Sequence, residues 1–256
     1  MNALDLAQLP VWLGSVFWAM GRVAGLCLVA PVFSSQVVSA RVRVGLVVVL
    51  TLVLTPLASS SIDPLSGAGV AAMAGQVLIG AAVGFVLRIA FEAVALGGEL
   101  VSQAMSLGFA SVADPQSGAS STVLSQFYIL LVTLLFVVMD GHLRLIALLA
   151  DSFQSLPPEQ LAINANGLHA VVGFAAELFS GGVRVALPAM TSLLVVNIGF
   201  AAISRAAPSM NLFAVGFPIT ITLGFIALWL SLRSLPGAFD ALQVSAWTLM
   251  RNLVGG

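Results

Sequence analysis

The chain has 256 residues, of which 60% are apolar and only 7% charged, with a formal net charge of -1. Soluble domains carry about 25% charged residues, so the composition is that of an integral membrane protein. The balanced charge leaves no basic field for nucleic acid, and all nine basic residues are Arg. Without a single Lys, a P-loop, a Schiff base and a pyridoxal site are excluded. Cys27 is the only cysteine, so an internal disulfide and a cysteine metal cluster are excluded as well.

In chain order, Pro10 suits the first turn of a helix that runs to about Ala30 and stops before Pro31. No Arg precedes Arg22, so the basic flank of a cleavable signal is missing and this helix is expected to stay attached. "PVFSSQVVSARVR" reads as a connector carrying Arg41 and Arg43, followed by a helix over Val44 to Leu57 and the turn-rich "SSSIDPLSGAG". The positive-inside rule places the Arg41/Arg43 segment in the cytoplasm and Asp63 outside. Val70 to Leu107 keeps a helical pattern over 38 residues, about 57 Å at 1.5 Å per residue and twice a bilayer core, so a break is expected at Gly97-Gly98.

A loop of small residues follows, with Gly108 as the expected left-handed cap, Phe109 folding back on Ala104, and Ser120 or Ser121 as N-cap of the next helix. That helix covers Val123 to Met139; "DGH" then leads into Leu143 to Ala150, which is too short to span, and a polar loop over 151–169. Ala170 to Phe200 is too long for one span and contains Pro188; Asn211 to Leu232 contains Pro218. The last helix, Ala238 to Val254, aligns Phe239, Leu242, Ala246, Leu249 and Leu253, and reads as an interfacial or partner-docking helix. No spanning β-barrel pattern occurs, and the expected fold class is an all-α integral membrane protein of helical hairpins packed in a hetero-oligomeric assembly. An ordinary bundle of about six spans is the simpler alternative.

Arg88, Glu92, Glu99 and Gln103 recur at intervals of four, seven and four, which puts them on one helix face. They read as charges buried in packing, as do Glu177 and Arg184; a proton relay or pore wall is the functional alternative. Gly21/Gly25, Gly80/Gly84 and Gly181-Gly182 read as sites of close helix approach. Asp140, His142 and Arg144 carry no GxSxG or HExxH context, and His169 stands alone, so neither catalysis nor a metal site is expected. No cofactor is expected.

The ordered motifs go further than composition. Arg22, "APVFSS", "RVR", "FEAVALGGELVSQAMSLGFASVADP", "DGH", "SFQSLP" and "SRAAPSMNLFAVGFP" resemble the FliR family, the R subunit of the flagellar type III protein export gate. The cluster Arg205, Pro208, Met210, Asn211 and Phe213, with the Asp114-Pro115 loop, is the most specific part, and related injectisome subunits share the plan. The resemblance implies a single domain over 1–256: first hairpins to 140, middle helices over 141–200, and a C-terminal hairpin with its amphipathic helix over 201–256.

It also implies a non-enzymatic role beside the FliP and FliQ subunits around a pore for unfolded flagellar substrates. FlhB and FlhA are further implied partners, in the bacterial inner membrane at the flagellar basal body, in contact with lipid. A pore plug maps onto 108–121, naming Gly108, Phe109, Ala110, Ser111, Val112, Ala113, Asp114, Pro115, Gln116, Ser117 and Gly118. Two other classes remain open from the residues alone. One is a small-solute transporter using helices broken at Pro188 and Pro218, and the other is a hydrolase using Ser117 or Ser120 with His142.

Overall fold

A computed structural model describes residues 9–34, 38–60, 62–64, 66–107, 122–159, 164–206 and 212–255, and among these every ordered element is a helix. Five segments are long and apolar enough to cross a membrane: Trp12–Val29, Ala40–Leu57, Gly67–Ala104, Ala165–Ile203 and Pro218–Gly255. Val123–Val138 with Gly141–Ser155 makes a bent sixth. The chain is a multi-pass, all-α membrane protein.

Helix α1 (Leu9–Val29) has Pro10 in its first turn and gives way at Ala30 to the single turn α2 (Pro31–Ser34). Helix α3 (Ala40–Leu54) starts earlier than its apolar run, so Arg41 and Arg43 lie in its first turns instead of in a connector. Long Arg stems favour helix, and Arg41 is exposed so that its head can reach outward, which offsets its poor fit to the helix dipole.

Helix α4 (Gly67–Ala104) is unbroken over 38 residues, which corrects the expected break at Gly97-Gly98. Both glycines sit where a neighbour presses on the helix. A Cβ on Gly97 would lie 2.7 Å from Val185 Cγ1, and one on Gly98 2.9 Å from Ser125 Cα. Close packing thus offsets the helix-propensity loss of about 1 kcal/mol per Gly. At about 57 Å, α4 still covers roughly 44 Å when tilted by about 40°, so one end at least projects from the hydrocarbon core.

Helix α5 (Val123–Val138) breaks at Met139-Asp140, where Asp140 is left-handed with φ of 56° and Gly141 lies against the Phe136 ring. The "DGH" turn is therefore the joint to α6 (Gly141–Ser155), which continues five residues past its expected end. Asn164 caps α7 (Ala165–Phe174), its side-chain oxygen accepting the Gly167 N–H at 2.7 Å. The polar segment read as a loop is helical at both ends.

The next interruption falls at Ala175 and not at Pro188, which sits inside α8 (Ala176–Ala206); Pro218 likewise sits inside α9 (Leu212–Ser231). A membrane helix tolerates the one hydrogen bond that each proline removes, and the breaks that motivated a transporter are absent at both. After the turn Leu232–Ser234, α10 (Leu235–Gly255) buries Phe239, Leu242, Ala246 and Leu253 of the expected face and leaves Leu249 half-buried beside the buried Met250. The face expected for a partner is used inside the chain: Phe239 meets Phe91 edge-on at 5.7 Å between ring centroids, and Leu242 covers Gly181.

The chain divides into two compact units, each drawn from separate segments. The first comprises Met1–Ile89, Phe136–Phe174 and Ser245–Gly256. Its centre is α1 against the first half of α4, where Gly25 lies on the Val77 carbonyl and Gly80 on the Arg22 carbonyl, with Trp18, Leu26, Ile79 and Val86 buried around them. These reciprocal glycines let two backbones touch, as the spacing predicts. The second unit comprises Ala90–Leu135 and Ala175–Val244, with α8 packed on α9.

Candidate functional site

The loop 108–121 lies outside the described residues, and with it all eleven residues from Gly108 to Gly118 named for the plug. Its two stems are described, and both belong to the second unit. At the end of α4 the Ser106 N–H donates to the Gln103 carbonyl at 2.9 Å and the Leu107 N–H to the Ser102 carbonyl at 3.1 Å. Ser106 is left-handed, with φ of 62°. This pair of bonds around a left-handed residue is the Schellman motif, closed two residues before the glycine expected to cap it.

The other stem begins at Thr122, and the expected caps Ser120 and Ser121 lie outside the described residues. Thr122 Oγ1 accepts the Ser125 N–H at 3.3 Å, which is N-cap geometry. The same hydroxyl donates to Glu99 Oε2 at 2.7 Å, and the Thr122 N–H reaches that oxygen at 3.4 Å. Gln103 Nε2 donates to the second carboxylate oxygen, Oε1, also at 3.4 Å. A capping box takes its carboxylate from the same helix three residues on; here Glu99 supplies it from the opposite stem.

Two close contacts hold the stems beside this clasp. Gly98 brings α4 against Ser125, and a Cβ on Gly224 of α9 would lie 2.7 Å from the terminal methyl of Met105, which is fully buried. The loop is thus closed at its base by a carboxylate, a hydroxyl, and glycines that admit their neighbours. Such a base fixes where the loop starts and ends.

The charges read as buried in packing are distributed differently. Arg88 and Arg184 are exposed in the chain, while Glu92, Glu99 and Glu177 are half-buried. Helical spacing gives a shared face but not its depth, and only Glu99 is drawn into the clasp. Glu177 accepts the Ser180 hydroxyl at 3.0 Å. Arg205 ends α8 exposed; Pro208, Met210 and Asn211 lie outside the described residues, as does the side chain of Phe213 at the start of α9. Of the residues considered for hydrolysis, His142 is half-buried on α6, and Ser117 and Ser120 lie outside the described residues. His169 is exposed on α7.

Among the described residues, Arg22 in the first unit is a fully buried cation, one that the motif order singled out without giving it a role. Its Nε donates to Gln76 Oε1 at 2.9 Å, and its two terminal nitrogens reach Ser152 Oγ at 2.8 Å and the Leu156 carbonyl at 2.7 Å. Its guanidinium carbon also lies 4.1 Å from the centroid of the Phe153 ring. Neutral oxygens and an aromatic face thus satisfy the charge, joining α1, α4 and the end of α6. Ser152, Phe153 and Leu156 all belong to "SFQSLP", so two separate motifs meet at one guanidinium.

Comparison with known proteins gives this geometry a family. The model of the bacterial export proteins, family 1, matches residues 13–244. The chain belongs to that family. The flagellar biosynthetic protein FliR of Pectobacterium carotovorum subsp. carotovorum is 36% identical over 254 residues, covering 99% of this chain and 96% of that protein. The FliR of Escherichia coli strain K12 is 36% identical over 229 residues, covering 89% of this chain and 87% of that protein. The resemblance carried by the ordered motifs therefore holds over nearly the whole chain. Within this FliR family the match includes Arg22, both loop stems and the Arg205 cluster, and it ends before the last turns of α10.

Proposed function

We propose that the chain is a non-enzymatic subunit of the flagellar protein export gate, seated in the bacterial inner membrane at the flagellar basal body. The observation that carries this reading is the family match across residues 13–244, with relatives named flagellar biosynthetic protein FliR aligned along nearly the full chain. FliP and FliQ are its proposed neighbours around the pore, with FlhB and FlhA as further partners and unfolded flagellar proteins as cargo. The flagellar names of the relatives favour this system over an injectisome.

Within that role, loop 108–121 is the movable closure. Its base is clasped by Glu99 and Thr122, so the loop can be displaced by a passing chain without unravelling the helices that carry it. Small residues and a single acid, Asp114, keep its contacts with any pore wall weak and reversible.

Loss of the gene should abolish flagellar assembly, and the tagged protein should purify with FliP and FliQ; a stable, functional monomer would contradict the assignment. Deleting 108–121, or replacing Phe109 with Ala, should leave that complex intact and raise the ion conductance of the closed gate. Unchanged conductance in an assembled complex would reduce the loop to a connector.

A further inference from the structure

The first unit holds a charged cleft that the export reading leaves unused. A cavity of about 800 Å³ opens between α6 and the last turns of α10, within the size range of small-molecule sites. Arg144 and Asp151 line it from α6, with Leu148 between them; Trp247, Arg251 and Val254 line it from α10. Each trio recurs at steps of four and three residues, so each lies on one face of its helix and the two faces oppose each other. The Ser155 hydroxyl donates to the Val254 carbonyl, which ties the two helix ends together beside the cleft.

Two guanidiniums against one carboxylate leave a net charge of +1, and both Arg side chains are exposed. The Trp247 ring is buried, 5% exposed, and with Leu148 and Val254 makes an apolar wall directly beside the charges. A site with one surplus positive charge and an apolar wall matches an amphiphile with one negative charge better than a free inorganic ion. The guanidinium fork also matches the oxygens of a phosphate. The cleft lies at the end of the membrane-length segment Pro218–Gly255 and beside the last turns of the bent pair, and the end of a spanning helix is where lipid headgroups would meet it.

We propose that this cleft binds the phosphodiester headgroup of an anionic membrane lipid, with Arg144 and Arg251 on the phosphate. Asp151 accepts from headgroup hydroxyls, and Trp247 covers the first acyl carbons. Asp151 also limits the site to one negative charge.

The full chain in mild detergent, titrated with phosphatidylglycerol or phosphatidylcholine of matched acyl chains and read by native mass spectrometry, tests the assignment. Phosphatidylglycerol should be retained selectively, and replacing both guanidiniums (R144Q with R251Q) should weaken retention by about 25-fold, about 5-fold for each charge removed. The charge-preserving pair R144K with R251K should keep most of it. Asp151→Asn should strengthen retention by about 5-fold; because a gain cannot come from misfolding, this variant decides the matter if the double Gln variant does not fold. Arg41→Gln, an exposed Arg on α3, should change nothing. Equal retention of the two lipids, or a loss with Arg41→Gln as large as with the double variant, would overturn the proposal. Full displacement of lipid by millimolar inorganic phosphate would reassign the cleft to free phosphate and overturn it as well.

Discussion

The Arg22 node of the first unit and the Glu99–Thr122 clasp of the second are both polar contacts set among apolar helices, yet they are built for different purposes. Arg22 is fully buried, and its bonds run to a side-chain amide, a hydroxyl and a backbone carbonyl. In a medium that cannot solvate it, a guanidinium so placed is costly to move, so the node fixes three helix segments permanently. Glu99 is half-buried, and its partners are a helix cap and the exposed Gln103. Water can stand in for either partner, so the clasp holds the loop base at modest cost and tolerates strain. One contact locks a scaffold, and the other holds the base of a loop.

The largest expected effect breaks the scaffold. Arg22→Leu removes the donor and leaves Gln76, Ser152 and the Leu156 carbonyl facing an apolar side chain, at a cost of about 3–5 kcal/mol. Denaturation in detergent should show it, and adding Gln76→Leu should recover part of the loss, because removing both partners leaves fewer unsatisfied groups. A single-variant loss near zero would mean that the node is not a lock.

Gly98→Val tests the clasp side. Its side chain would press on Ser125, pushing the stems apart at about 1–3 kcal/mol and disturbing the gate before it unfolds the chain. Next in size, Glu99→Gln and Thr122→Val should each cost about 1 kcal/mol, and a double-mutant cycle should return a coupling energy of at least about 0.5 kcal/mol. Independent, additive effects would dissolve the clasp as a unit. Smallest, and opposite in sign, Ser106→Gly should stabilise by about 0.5–1 kcal/mol, because glycine takes the left-handed cap without the steric penalty that serine bears. A destabilised variant would show that the serine side chain contributes more than its backbone.

How far each region could be read from the chain follows from the range of the forces involved. The glycine pairs of α1 and α4 were legible because small residues four apart have one main use in a membrane helix. Gly97-Gly98 misled for the same reason: two glycines in sequence also mark a break, and only the approach of Val185 and Ser125 decides between the readings. Intrinsic preference puts the caps of loop 108–121 on Gly108 and on Ser120 or Ser121. The structure uses Ser106 and Thr122 instead, because a carboxylate 23 residues before Thr122 completes the cap. Arg22 carried no local signal beyond its own charge, since its partners lie 54 to 134 residues away.

Composition and hydropathy alone determine that this is an all-α membrane protein without lysine chemistry, and the order of short motifs determines its export family. Both are properties summed along the chain and need no knowledge of which helix meets which. Depth, pairing and helix ends were decided by tertiary structure. Arg88 and Arg184 look as buried in sequence as Arg22 does, yet both are exposed in the chain, while Arg22 has oxygens from two other helical segments converging on it. A charge enters an apolar interior where such partners meet it, and convergence of distant segments is a property of the fold.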